Sequence, residues 1–262
     1  MHDSDWFCAG TLFTKLEQDN MPLPPEQRIK FFVFVIESPS AVDLYHRRSE
    51  GDIVRQAVEL NGIVCVVKTA ISLQAFDACL KIGLSVAMRH HPDFIPILHI
   101  SAHGDQDGIQ LSDGHIITWS EFGEYLRPIN QALGGSLVVC MSSCEGYSGV
   151  RMAMYSNDMD LPYYALVGAG NKPTWAETAV AFATLYHQLC RGEYIADAVK
   201  AMQVASGNEK FWLQHAENSR QTYIEHINNT ILPATAQTNL EQLVTEEPIE
   251  NQESLKRLSD LA

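Results

Sequence analysis

Two kinds of pattern alternate along the chain. KFFVFVI (30–36), IVCVVKT (63–69), IPILHISA (95–102), SLVVCMSS (136–143) and PYYALVGAG (162–170) are short apolar runs rich in β-branched and aromatic residues. Such runs predict strands covered on both faces. After the first of them Ser38-Pro39-Ser40 breaks the strand and opens a helix through VDLYHRRSEGDIVRQAVEL to a stop at Asn61-Gly62. LQAFDACLKIGLSVAMRHH (73–91) sets Leu73, Phe76, Leu80, Leu84 and Met88 at helical spacing and ends at Pro92. GIQL and HIIT flank Asp113-Gly114, a dipeptide suited to a tight hairpin turn. Thr118 with Glu121 makes a capping-box pattern that opens the helix SEFGEYLRPINQAL, closed by Gly134-Gly135. TAVAFATLYHQLCRGE and IADAVKAMQVAS add two helices. Strand and helix in this alternation predict an α/β chain, a mostly parallel sheet with helices on both faces.

The pattern also divides the chain. Residues 1–29 end in MPLPPEQR, whose prolines forbid continuous helix and suggest an N-terminal arm. Residues 30–206 hold the alternating elements and form the main domain. Residues 207–262 are expected to contain one helix, EKFWLQHAENSRQTYIEHI, and then an acidic tail, TEEPIENQES, with Leu255, Leu258 and Leu261 near its end. That tail suits either mobility or docking on a partner.

Composition excludes several functions. The chain has 262 residues with 32 Asp and Glu against 18 Lys and Arg, a net charge of -14, and no basic cluster longer than Arg47-Arg48. A phosphate backbone would be repelled, so no nucleic-acid partner is expected. The N-terminal MHDSDWFCAG lacks the pattern of a signal peptide, and FFVFVI is too short to span a bilayer. A cytoplasmic protein with no membrane partner is expected. The six cysteines form no C-x-x-C pair, so they suggest neither a disulfide framework nor a zinc ribbon. Most are expected to be small core residues.

In α/β sheets reactive groups collect beyond the carboxyl ends of the strands. Two strand ends carry chemistry here, the third at His103-Gly104 and the fourth at Cys144. On adjacent strands these make a base and a nucleophile: imidazole proximity favours the thiolate, and the same imidazole later protonates a leaving amine. Gly104, lacking a side chain, lets its N–H approach a substrate carbonyl and, with the Cys144 N–H, form an oxyanion hole. Histidine and cysteine also occur as ordinary core residues, so this spacing taken alone is balanced between catalysis and packing. His99 and Cys140 lie within strands and are read as core, with no metal site. Asp105 and Asp107 are read as solvated loop acids and Asp113 as a turn residue, which leaves a Cys-His dyad.

The blocks ILHISAHG, GIQLSDG, LVVCMSSCEG and TAVAFATLYHQLCRGEYIADAVKAMQ resemble, in order and spacing, the motifs of CHAT-domain proteins, caspase-like cysteine peptidases related to separase. The resemblance covers about residues 30–206. It implies a caspase-like three-layer α/β/α sandwich, His103 as catalytic base, Cys144 as nucleophile, a protein substrate and no cofactor. It also implies control by a separate regulatory protein partner and, as for some of the family, a role in bacterial defence. The sequence departs from the pattern after the fifth strand, where AGNKPTWAET has Glu177 as its nearby acid. A preference for Arg or Lys at P1 therefore does not follow from the resemblance. Two other classes stay open: an inactive peptide-binding module, and a thiol amidase acting on a small substrate.

Overall fold

The computed structural model describes residues 28–154 and 160–231. The described residues up to Ser219 form one compact unit. A second unit, Arg220–Ala262, contributes to the described residues the end of one helix and a π-helical turn at Ile227–Ile231.

The apolar runs become strands β1 (Phe31–Ser38), β2 (Cys65–Thr69), β3 (Ile95–Gly104), β4 (Gly108–Gln110), β5 (Ile116–Thr118), β6 (Val138–Ser142) and β7 (Ala165–Ala169), and Phe211–His215 adds β8. The main sheet runs β2-β1-β3-β6-β7-β8, parallel except for β8, which is antiparallel to β7. Because side chains alternate along a strand, each run supplies two cores. Phe32, Phe34, Ile36, Leu98, Ile100, Val139 and Met141 face one layer, and Val33, Val35, Ile97, Val138, Cys140 and Val167 face the other.

Helices cover both faces. α1 (Ala41–Tyr45) and α2 (Glu50–Glu59) follow β1. α3 (Leu73–Ala78) runs through a π-helical segment, Cys79–Leu84, into α4 (Ser85–His90), and α5 is Trp119–Ala132. After β7 come α6 (Trp175–Arg191) and α7 (Ile195–Ser206), and α8 is Ala216–His226. Phe76, Leu84, Phe122 and Leu126 fill the first core, and Val54, Phe182, Leu185, Tyr186 and Met202 the second. Full burial of such a side chain contributes about 1.5–3 kcal/mol, so both cores are substantial. The expected three-layer α/β/α sandwich with a mostly parallel sheet is what forms.

Local signals are used as read at several places. Thr118 accepts from the Glu121 N–H while Glu121 bonds back; the same arrangement of Thr174 and Glu177 at the start of α6 was not singled out in the sequence. Gly114, at φ 89°, makes the β4–β5 turn possible, with Asp113 accepting the His115 N–H.

Three expectations are corrected. The helix predicted from Ser40 to Asn61 is two helices, because Arg47 takes a left-handed conformation (φ 54°) and Ser49 starts a new N-cap at α2. The strand at 63–69 is not buried but a partly exposed edge. The helix expected from Glu209 begins only at Ala216: Phe211–His215 is extended, because its backbone completes the sheet against β7. The main unit therefore runs past residue 206, to Ser219. The arm up to residue 27 and the acidic tail from 232 lie outside the described residues. Among the described residues no helix is long and apolar enough to cross a membrane.

Candidate active site

Strand register builds the site. Glu37 of β1 stands opposite Ser101 of β3, and Ser101 stands opposite Ser142 of β6. These three polar residues make a row across the carboxyl end of the sheet, on the face covered by α2 and α6. With a two-residue side-chain period, the next positions on that face are His103 and Cys144. Both line one cleft, together with Ser38 and Pro39 after β1, Glu50 of α2, and Pro173, Trp175 and Thr178 around the start of α6. The cleft opens to solvent.

Cys144 sits in a turn that leaves no room for a side chain at Gly146. Glu145 adopts a left-handed conformation (φ 54°), and Gly146 donates its N–H to the Ser143 carbonyl at 3.2 Å. A Cβ on Gly146 would lie 2.9 Å from the Met141 carbonyl oxygen, and one on Gly168 of β7 would lie 2.8 Å from the Tyr147 nitrogen. The turn is thus pressed directly against β7. Gly104 approaches equally closely, since a Cβ there would meet the Cys144 carbonyl oxygen at 3.0 Å. In the β3–β4 ladder Asp105 donates to Gly108, so Gly104 is a non-hydrogen-bonded position whose N–H turns away from β4.

Electrostatics set the resting state of the two groups. Burial pushes the Cys144 thiol up; Lys172 pulls it down, and Glu145 adds to the rise. The net direction is upward, so the cysteine rests as a neutral thiol rather than the thiolate expected from a nearby imidazole. His103 is half exposed and its Nε2 lies 3.0 Å from Asp43 Oδ2. Asp43 is almost fully buried on α1, where it closes a capping box with Ser40 and lies 3.5 Å from Arg48. Burial pushes its carboxyl up, but hydrogen bonds from Ser40 and His103 and the attraction of His103 outweigh that and hold it below the ordinary value. An ionised carboxylate can only accept, so His103 Nε2 carries the hydrogen and, in the neutral ring, Nδ1 keeps the lone pair.

Asp43 was not singled out in the sequence. The readable signal was Ser40-x-x-Asp43 directly after the first strand, a capping box at a strand's carboxyl end. Asp105 instead accepts the N–H groups of Asp107 and Gly108 within its own loop. His99 and Cys140 are core, as expected. His99 is wholly buried, donates or accepts at 2.8 Å with the Tyr186 hydroxyl, and is pushed down by burial to about 3. The Cys140 thiol is pushed up to about 12 by burial.

Glu50 was also missed, hidden inside the predicted long helix. It is 2% exposed, and its carboxylate accepts from Ser101 Oγ at 2.7 Å and Ser142 Oγ at 2.6 Å. Burial, with repulsion from Glu37 added, raises it to about 7 against the hydrogen bonds of Ser142, Ser101 and Thr178.

No family model matches the sequence, and no curated protein matches it. Among solved structures, the fold is similar to the Arg-specific cysteine proteinase gingipain R, at 11% identity and a TM-score of 0.46 over 70% of this chain and 45% of that one. It is also similar to a secreted C11 cysteine protease from Bacteroides thetaiotaomicron bound to an irreversible peptide inhibitor, at 10% identity and a TM-score of 0.48 over 72% of this chain and 67% of that one. The chain spans less than half the length of the first.

Proposed function

We propose that the chain is a cysteine peptidase in which Cys144 is the nucleophile, His103 the general base and acid, and Asp43 the residue that positions His103. The observation that carries this reading is the shared cleft: Cys144 and His103 line it from adjacent parallel strands, and the imidazole is held by a buried carboxylate. His103 Nδ1 takes the thiol proton as Sγ bonds to the scissile carbonyl carbon, whose π electrons move to oxygen. The N–H groups of Gly104 and Cys144 are the proposed donors to that oxyanion. Its collapse breaks the C–N bond, and the imidazolium gives its proton to the departing amine. Water then adds to the thioester, passing a proton to His103, and the carboxylate product leaves as the Cys144 thiol is restored.

The four sequence blocks support placing the chain among CHAT peptidases, acting in the cytoplasm on a protein substrate under a separate partner's control, in a setting such as bacterial defence. A raised Cys144 thiol fits an enzyme held latent until such a partner arrives. The same observation favours a second reading, a module that binds peptide without cutting it.

The experiment is covalent labelling by peptide acyloxymethyl ketones, read by intact mass on wild type, Cys144→Ala and His103→Ala. Labelling that requires Cys144 and falls at least a hundredfold without His103 supports the peptidase. An inert Cys144 that still binds the peptides reversibly supports the binding module.

A further inference from the structure

On the face of the sheet opposite the cleft, α5 packs against α3 at one end only. Phe76 of α3 meets Phe122 and Tyr125 of α5, with ring centroids 5.6 and 6.0 Å apart. Lys81, at the start of the π-helical segment, reaches across to the Tyr125 ring at 5.8 Å. Beyond it the walls part and leave an open groove, with Leu80, Leu84 and Met88 on one side and Tyr125, Ile129 and Ala132 on the other. Leu80 and Leu84 are 3% and 1% exposed and belong to the first core, so the groove is floored by the core itself.

Both walls are helix faces. Leu80, Leu84 and Met88 stand four apart, a spacing that drifts around an α-helix of 3.6 residues per turn. The wider π-helical turn at Cys79–Leu84 takes up that drift in the first step and keeps the apolar stripe straight along the groove. Each wall runs about 12 Å, from Lys81 to Arg89 and from Glu124 to Ala132, at about 1.5 Å per residue. The charges on the walls are unevenly used. Lys81 is paired with Asp77 at 2.5 Å, and Glu124 with Arg127. Arg89, at the end away from Lys81, has no ion-pair partner among the described residues.

These features select one occupant. Side chains rather than a strand edge line both walls, so an extended peptide would find no ladder to join. An alkyl chain laid in so open a groove would keep one side in water. Two copies of a chain of net charge -14 would repel each other. A third helix, by contrast, sets an apolar stripe against both walls at once, and an acid on it meets the uncommitted Arg89.

We propose that this groove docks an amphipathic α-helix of a separate protein, with apolar residues at i, i+4 and i+7 against the floor and an Asp or Glu over Arg89. About two to three turns fill it. The inference does not depend on the peptidase reading.

The probes are fluorescent hydrocarbon-stapled helices of fourteen residues, with Leu, Ile, Met or Phe in the apolar stripe and Glu, Gln or Lys at the Arg89 end. Their binding to the full chain is read by fluorescence polarisation. At least one Glu helix should bind saturably, at least fivefold tighter than its Lys counterpart, and Arg89→Glu should reverse that order. Ser85→Trp and Ala132→Trp, both at exposed positions, fill the groove and should weaken binding at least tenfold while melting as wild type does. Saturable binding by none of the helices, no reversal in Arg89→Glu, or full binding to both tryptophan variants overturns the proposal. So does oleate that displaces the helices and binds more tightly than they do, which makes the groove a lipid site. Dimerisation in sedimentation equilibrium that Ala132→Trp abolishes also overturns it, because the occupant is then a second copy of this chain.

Discussion

Ser101 and Ser142 stand opposite each other across β3 and β6, and both hydroxyls donate to the one carboxylate of Glu50. This contact ties β3 and β6, at whose carboxyl ends His103 and Cys144 stand, to α2. The site is assembled on that tie.

Glu50 makes stability depend on pH in an unusual direction for an acid. Its folded value is raised to about 7 from an ordinary 4.5, so the folded state holds this proton more tightly than the unfolded state does. The group costs nothing below the ordinary value, and stability is lost as pH rises towards and through the folded value. The groups facing it are Glu37 on β1, His99 and Ser101 on β3, Ser142 on β6 and Thr178 on α6. At about 1.4 kcal/mol per unit the loss approaches roughly 3 kcal/mol. Glu50→Gln should therefore melt several degrees above wild type at high pH and lose that advantage in mild acid. Parallel melting curves at all pH values would contradict this.

Asp43 should act on the rate and not on binding. Asp43→Asn keeps the size of the side chain but removes the charge that orients His103, and labelling of Cys144 should fall by about 10² to 10⁴-fold. Asp43→Ala additionally breaks the capping box of α1, and its melting curve should show a loss of about 1 kcal/mol. An unchanged labelling rate in Asp43→Asn would remove it from the mechanism.

Burial raises the Cys144 thiol, and Lys172 opposes that rise. At neutral pH the thiolate fraction is smaller than for a free cysteine, and it climbs only as pH passes the ordinary 9.0. Iodoacetamide should therefore modify Cys144 more slowly than it modifies a model thiol at neutral pH. Lys172→Ala should slow the reaction further, by about two- to fivefold. Faster reaction in that variant would show that the lysine does not act on the thiol.

The turn holding Cys144 has no room to move into β7. Gly168→Ala would place a Cβ 2.8 Å from the Gly146 and Tyr147 backbone. Overpacking of this kind costs about 1–3 kcal/mol. The variant should melt lower and label more slowly, because the displaced atoms include the turn that carries Cys144. Wild-type melting and labelling would mean the turn yields freely.

Strand-forming runs, the α5 capping box and the β4–β5 turn were legible because each depends on neighbours a few residues away. His103, Gly104 and Cys144 were legible for a related reason: each follows an apolar run, and strand ends are where an α/β sheet exposes chemistry. Phe211–His215 was not, since so short a segment ahead of helical residues takes its conformation from pairing with β7. The break at Arg47 was equally hidden, because apolar spacing continues through it while the backbone does not.

By itself, the sequence determined the layered α/β class and the strand ends at which His103 and Cys144 stand. Tertiary structure alone decided that Asp43 holds His103 and that Glu50 joins Ser101 to Ser142. Both acids lie on helices far along the chain from β3 and β6, and their roles exist only in the register of β1, β3 and β6. A periodicity reports which face a residue occupies; a hydrogen bond between distant elements depends on how those faces are stacked.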